Sequence, residues 1–118
     1  MPSPLHSLSH PNPAGFRDVT VADARPHLPT VRVIDVREPD EFVGPLGHID
    51  SAALAPLTTV PAAAAAWDKN APTLVVCRSG ARSGRAATAL VQAGFREVYN
   101  LAGGMIAWND AGFPVVRS

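Results

Sequence analysis

Cys77 is the single cysteine of the chain, and it opens a segment whose residue types favour nucleophilic chemistry. The segment follows the apolar run Thr73–Val76 and reads Cys77-Arg78-Ser79-Gly80-Ala81-Arg82-Ser83. Small residues and a glycine between a strand and a helix allow successive backbone N–H groups to turn towards one centre, where the helix dipole adds positive charge. Such surroundings lower the pKa of a thiol and favour the reactive thiolate. The spacing therefore predicts an anion-binding loop with a nucleophilic sulfur at its rim.

Two arginines, Arg78 and Arg82, add fixed positive charge to this loop. A guanidinium group donates hydrogen bonds in a planar fork, which suits the oxygens of a sulfonyl, sulfate or phosphate group. The alternative interpretation is a buried, unreactive thiol, which is the commoner state of a lone cysteine. Because charged and small residues follow Cys77, we expect a polar mouth rather than a place in the core, and therefore a functional sulfur.

Two other anion-binding loops differ from this one in spacing. A P-loop needs four residues between its glycines and then Lys with Ser or Thr, whereas Gly80 and Gly84 enclose three residues and Arg85 follows. The loop of tyrosine-phosphatase-type enzymes has five residues between Cys and Arg, whereas four separate Cys77 from Arg82. Nucleotide binding is therefore not expected, and the shorter loop predicts a smaller group against the sulfur.

Short β-rich runs alternate with helix-like segments after residue 16. Strands are predicted at residues 17–19, 31–36, 73–76 and 97–99, and helices at 39–42, 61–68, 83–93 and 104–111. Another short helix begins at Val21, where Thr20 is expected to cap it. This alternation predicts an α/β fold with a mostly parallel sheet and helices on both faces. Ligands of such sheets bind beyond the carboxyl ends of the strands, where Cys77 is expected to lie.

Composition limits the class of protein. The 118 residues suit one domain, and 47% hydrophobic with 17% charged residues is typical of a folded chain rather than a disordered one. Ten basic and ten acidic residues balance, so no overall charge attracts nucleic acid or an anionic membrane. No apolar run approaches the ~20 residues that span a bilayer, and a lone cysteine excludes an internal disulfide. We expect a cytoplasmic protein with no nucleic-acid or membrane partner.

The first fifteen residues contain four of the twelve prolines. Neither helix nor strand is expected there, so residues 1–15 are predicted to be a flexible arm before a domain at 16–118. His6 and His10 have the spacing of a metal-binding pair on a helix. Because prolines flank them and no third ligand is near in the sequence, we predict a solvated tail and no metal site.

Four blocks of sequence, in order, resemble the rhodanese family of sulfurtransferases over residues 16–116. The blocks are Ile34-Asp35-Val36-Arg37-Glu38-Pro39-Asp40-Glu41-Phe42, Gly47-His48-Ile49, the loop from Cys77 to Arg82, and Asn100-Leu101-Ala102-Gly103-Gly104-Met105-Ile106-Ala107-Trp108. The resemblance implies one α/β domain around about five parallel strands. It also implies that Cys77 takes the outer sulfur of a donor such as thiosulfate, holds it as a persulfide and passes it to a thiol or cyanide, with no cofactor.

The same resemblance suggests roles for individual residues. The persulfide would be held by backbone N–H groups of six loop residues, which are Arg78, Ser79, Gly80, Ala81, Arg82 and Ser83. The arginine side chains of the loop would bind the sulfonate of the donor. Asp35 and Arg37 either contact the loop or its substrate or form a structural ion pair, because buried charges need partners. His48 is expected to support a neighbouring loop.

Other functions stay open at this point. A persulfide carrier or redox-signalling module would receive sulfur from a partner protein in a sulfur relay. A cysteine phosphatase or arsenate reductase would use the same nucleophile, although the loop length disfavours both. A domain that only binds other proteins is the remaining possibility. Asp50-Ser51-Ala52 departs from the family pattern, in a turn that we expect near the mouth, so acceptor preference is also open.

Overall fold

A computed structural model of the protein describes residues 2–118. Its six strands are β1 (His10–Pro11), β2 (Arg17–Val19), β3 (Arg32–Asp35), β4 (Ala53–Leu54), β5 (Thr73–Val76) and β6 (Val98–Leu101). They form one sheet in the order β1-β2-β6-β5-β3-β4, and all neighbours run parallel except β1 and β2. The predicted α/β fold with a mostly parallel sheet is confirmed. The two-residue strands at the edges, β1 and β4, were not predicted.

The helices are short, apart from the one that follows the cysteine loop. They are α1 (Leu5–Leu8), α2 (Val21–Ala24), α3 (Pro39–Phe42), α4 (Val60–Ala64), α5 (Ala81–Gln92) and α6 (Gly104–Asp110), with 3-10 helices at Arg25–Thr30 and Leu57–Thr59. Thr20 caps α2 as predicted, since its hydroxyl accepts a hydrogen bond from the Asp23 N–H. The helix predicted at 61–68 is too long, because the backbone at residues 65–67 tightens into hydrogen bonds to the third residue before.

Apolar side chains pack on both faces of the sheet. On one face, Val75 packs with α4 and α5 through Val60 and Leu90. On the other face, Leu74 and Val76 belong to a cluster that contains residues of α1, α2 and α6. Successive residues of β5 therefore point to opposite cores, as expected for a central strand that is covered on both sides. The predicted placement of helices on both faces is confirmed, and β5 is covered by packed side chains on both of its faces.

The prediction that the first fifteen residues form neither helix nor strand is wrong for the described residues 2–15. Leu5, in α1, is fully buried, and β1 pairs antiparallel with the edge strand β2. The prolines fit these elements: Pro4 precedes α1 with a helical φ of −51°, and Pro11 lies on an edge strand, where its missing N–H is tolerated. The segment therefore packs onto the domain and covers part of its core.

His6 and His10 lie in α1 and β1 and are both exposed. Among residues 2–118, no three His, Cys, Asp or Glu side chains are grouped so that they could hold a metal ion. In the same part of the chain, no helix combines the length and the apolar character needed to cross a membrane.

Candidate active site

The cysteine loop joins β5 to α5. Gly80 closes it with a φ of +112°, a left-handed conformation that glycine adopts without strain. This turn aims the backbone N–H of Gly80 at the Cys77 sulfur, at 3.0 Å from nitrogen to sulfur. The helix predicted at 83–93 begins two residues earlier, at Ala81, so its amino end lies directly beside the sulfur. Of the six residues whose N–H groups were predicted to face the sulfur, Ser79, Gly80 and Ser83 each contribute one.

The start of α6 holds the other side of the loop. The N–H groups of Met105 and Ile106 donate to the carbonyl oxygens of Cys77 and Arg78, at 2.9 and 3.0 Å. Gly104 makes this approach possible, because a Cβ at that position would lie 2.6 Å from the Arg78 carbonyl oxygen, and its φ is +54°. With the carbonyl groups turned towards α6, the loop is free to present N–H groups to the sulfur.

Cys77 is more deeply buried than its polar neighbours suggested. The residue is 1% exposed and belongs to an apolar cluster with Phe16, Val36 and Ala86. The expectation that Cys77 lies at a polar mouth rather than in the core is therefore wrong as regards the core, because the cysteine continues the burial of β5. The sulfur nevertheless has a polar side, which is the side that the loop covers.

Burial and hydrogen bonding act in opposite directions on the Cys77 thiol. Burial raises its pKa, and the Ser83 hydroxyl together with the backbone N–H groups of Ser83, Gly80 and Ser79 lowers it. The hydrogen bonds prevail, so the pKa lies below the usual value for a thiol. The arrangement favours a thiolate shielded from bulk water.

A chain of polar side chains, not predicted as part of the site, orients the Ser83 hydroxyl. The Ser83 oxygen lies 3.2 Å from the Cys77 sulfur and also contacts the amide oxygen of Asn100, so these two acceptors compete for its single proton. The Asn100 amide nitrogen donates to Asp18 at 3.1 Å and to the Gly80 carbonyl at 3.3 Å, which fixes the orientation of the amide. Asn100 is 6% exposed in the otherwise apolar strand β6, and that polar residue in a buried strand was the available signal.

Arg82 does not extend freely into the mouth. Its two terminal nitrogens donate to the two carboxylate oxygens of Glu41 at 2.6 and 2.8 Å, and both side chains are just over a quarter exposed. The hydrogen bond from Arg82 is the main cause that lowers the pKa of Glu41 to about 2. Glu41 was not predicted as a site residue, although its sequence block was singled out.

Arg78 is the exposed cation of the loop. It lines a cavity of about 280 Å³ with Arg37, Glu41, Pro45 and Leu46. No salt bridge involves Arg78 within residues 2–118. Its guanidinium is therefore the one in this cavity that is available to an incoming anion.

Asp35 and Arg37 form a buried ion pair. The Arg37 terminal nitrogen lies 2.8 Å from the Asp35 carboxylate, and the two side chains are 1% and 0% exposed. Arg37 also donates to the carbonyl oxygens of Gly47 and Glu41, at 2.7 and 3.3 Å. The hydrogen bonds of this pair thus join the end of β3 to the following turns, and the geometry supports the structural interpretation.

The motif around His48 also has a supporting geometry. The His48 ring stacks on Phe42 with centroids 3.6 Å apart, and its Nδ1 lies 2.8 Å from the Phe42 carbonyl oxygen. Asp50 and Ser51 line a different cavity, of about 270 Å³, beside Trp108. The expectation that their turn lies near the mouth is therefore wrong, because the turn precedes β4 and lies away from the carboxyl edge of the sheet.

Comparisons with known proteins find one family profile and several relatives of similar sequence. The sequence profile of the rhodanese-like domain matches residues 18–111. A sulfurtransferase of Allochromatium vinosum is 38% identical over 86 residues, which are 73% of this chain and 78% of that protein. Thiosulfate sulfurtransferase GlpE of Pseudomonas aeruginosa is 39% identical over 79 residues, which are 67% and 70% of the two chains.

A further sequence relative is longer than this chain, and a solved structure has a similar fold. An uncharacterized protein of Synechocystis sp. is 39% identical over 88 residues, which are 75% of this chain but only 48% of that protein. The crystal structure of a rhodanese-related protein from Thermoplasma volcanium superposes with a TM-score of 0.79 at 29% identity, covering 87% of this chain and all of that one.

Proposed function

The chain belongs to the rhodanese-like domain family, and we propose that it is a sulfurtransferase that carries sulfane sulfur on Cys77 as a persulfide. The observation that carries the proposal is the polar side of the sulfur, where the Gly80 N–H donates at 3.0 Å and the Ser83 hydroxyl oxygen lies at 3.2 Å. The names of the relatives from Allochromatium vinosum and Pseudomonas aeruginosa support sulfur transfer in general. Thiosulfate as the donor, and a thiol or cyanide as the acceptor, belong to the proposal.

The loading step is a displacement at sulfur. The Cys77 thiolate attacks the outer sulfur of thiosulfate, a new S–S bond forms, and the S–S bond of the donor breaks. The electron pair of the broken bond leaves with sulfite, so the enzyme is left as the Cys77 persulfide anion. Arg78 is suited to hold the sulfonate oxygens during this step, because it is exposed beside the loop and lines the adjoining cavity.

The unloading step restores the enzyme. An acceptor thiolate attacks the outer sulfur of the persulfide, the S–S bond to Cys77 breaks, and the thiolate of Cys77 returns. Cyanide in the same role gives thiocyanate. The loop donors stabilise negative charge in both resting states, so two displacements through one covalent intermediate replace a direct transfer between two anions. We expect ping-pong kinetics.

Incubation with thiosulfate and cyanide tests this proposal. Wild-type protein should form thiocyanate, and after thiosulfate alone its intact mass should rise by one sulfur atom. Cys77→Ser should do neither, while Thr88→Ala, which alters a hydroxyl bonded to Gly84 in α5, should keep both activities. Thiocyanate formation by Cys77→Ser at the wild-type rate would contradict the proposal. So would wild-type protein that accepts sulfur on Cys77 neither from thiosulfate nor from a protein donor.

A second candidate is a persulfide carrier that a partner protein loads. The engagement of Arg82 by Glu41 favours it, because within residues 2–118 this leaves Arg78 as the one loop arginine without a salt bridge to meet a small anionic donor. A cysteine desulfurase with cysteine should then load Cys77 faster than thiosulfate does. Faster loading by thiosulfate would exclude this candidate.

A further inference from the structure

Glu41 occupies a fixed place at the cavity beside the cysteine loop. It is the third residue of α3, where its side chain accepts a hydrogen bond from the Glu38 N–H while the Glu38 side chain accepts one from the Glu41 N–H. This reciprocal capping orients the carboxylate before any contact with the loop. Arg82 then binds both oxygens of the same carboxylate. Glu41 therefore joins two elements that are 41 residues apart in sequence.

The ion pair determines the net charge that an incoming donor meets. Arg78 and Arg82 provide two positive charges and Glu41 removes one, while Arg37 is neutralised by its own partner Asp35. These side chains together carry about one net positive charge, which the Cys77 thiolate offsets when it is ionised. The negative charge of Glu41 repels a dianion about twice as strongly as a monoanion, since Coulomb energy scales with the product of the charges. Glu41 therefore weakens the attraction of a dianionic donor more than that of a monoanionic one.

We propose that Glu41 is a specificity-determining residue, whose carboxylate occupies the guanidinium fork of Arg82 and so lowers the preference for the thiosulfate dianion relative to monoanionic sulfur donors. This inference rests on the proposed function, because it concerns the donor that loads Cys77. A sulfonate binds a guanidinium through two oxygens, as a carboxylate does, so donor and Glu41 compete for the same two N–H groups. The competition persists near neutral pH, since Glu41 has a pKa of about 2 and stays ionised.

The test compares two donors that differ in charge and transfer the same sulfur. Thiosulfate is a dianion that releases sulfite, and benzenethiosulfonate is a monoanion that releases benzenesulfinate. Glu41→Gln should raise kcat/KM for loading from thiosulfate by about three- to tenfold relative to benzenethiosulfonate, through a lower KM. Glu38→Gln removes the same charge from the same turn without a bond to Arg82, so it should shift the two donors much less. High salt should reduce the difference.

The possible outcomes distinguish a failure of the role proposed for Glu41 from a failure of the proposed function. An unchanged or reversed donor ratio in Glu41→Gln, with wild-type protein loading from both donors, overturns the role of Glu41 and leaves sulfur transfer intact. A fall in kcat for both donors indicates a purely structural role and also overturns it. If wild-type Cys77 accepts sulfur from no donor, the proposed function fails and the inference fails with it. Should Glu41→Gln not fold, Glu41→Ala, which also removes the carboxylate, should shift the same ratio in the same direction.

Discussion

The segments that follow β3 and β5 leave the same edge of the sheet but use charge in opposite ways. After β3, the guanidinium of Arg37 is 1% exposed, and its hydrogen bonds go to Asp35 and to carbonyl groups. After β5, the donors converge on a sulfur that becomes negative, and Arg78 stays exposed. A charge whose partners are all internal stabilises the fold, whereas donors arranged around a reactive atom form a site. Arg37 and Arg78 are the same residue type, so their different roles depend on their burial and their partners.

The largest expected effect is a loss of stability that differs between the buried pair Asp35–Arg37 and the part-exposed pair Glu41–Arg82. Asp35→Asn leaves the buried Arg37 without its counter-charge and should lower the free energy of unfolding by about 3–5 kcal/mol. Glu41→Gln removes one partner of a pair that is just over a quarter exposed and should cost about 1 kcal/mol or less. Urea denaturation of both variants measures the difference. Equal losses would show that burial does not distinguish these pairs.

The next effect tests the support of the cysteine loop by α6. Gly104→Ala places a methyl group against the carbonyl groups of Cys77 and Arg78, and should reduce the rate of sulfur loading about tenfold or more. Gly112→Ala is the matched control, because that glycine also has a positive φ, +74°, but nothing lies within 4 Å of the added atom. It should lose some stability and keep its loading rate. Equal loading rates in the two variants would contradict a role for α6 at the site.

The smallest expected effect concerns the acidity of the nucleophile. Burial raises the pKa of Cys77, and the Ser83 hydroxyl is the largest of the opposing contributions. Ser83→Ala should therefore raise that pKa and move the pH dependence of sulfur loading to higher pH, with a rate about three- to tenfold lower on the acidic limb. Thiolate absorbance against pH measures the shift directly. A curve that coincides with that of Thr88→Ala would show that the hydroxyl does not act on the sulfur.

Local patterns predicted much of the fold. Alternating strands and helices indicated a parallel sheet, and the Cys77-to-Ser83 spacing indicated a loop with converging N–H groups. Both follow from backbone preferences that act over a few residues. The helix and strand within residues 2–15 are not predicted, because proline disfavours both in general, whereas Pro4 and Pro11 lie where a missing N–H is tolerated.

The unpredicted parts of the site depend on contacts between distant segments. Asn100 lies beside the loop because β6 pairs with β5 and sets Asn100 opposite Val75. Glu41 meets Arg82 because β3 is the other neighbour of β5, so α3 begins close to the same edge. Both contacts depend on the order of the strands in the sheet, which the sequence patterns do not predict. The deep burial of Cys77 was missed for the same reason, since Phe16 and Val36 come from other strands or their ends.

The clamp formed by Met105 and Ile106 has a consequence for how the protein is made. A growing polypeptide that has reached Cys77 does not yet contain the amides that hold the cysteine and arginine carbonyls. These amides follow roughly thirty residues later, at translation rates of about 5–20 residues per second. The loop therefore acquires its full support only after the segment that begins α6 has been made and has folded against it.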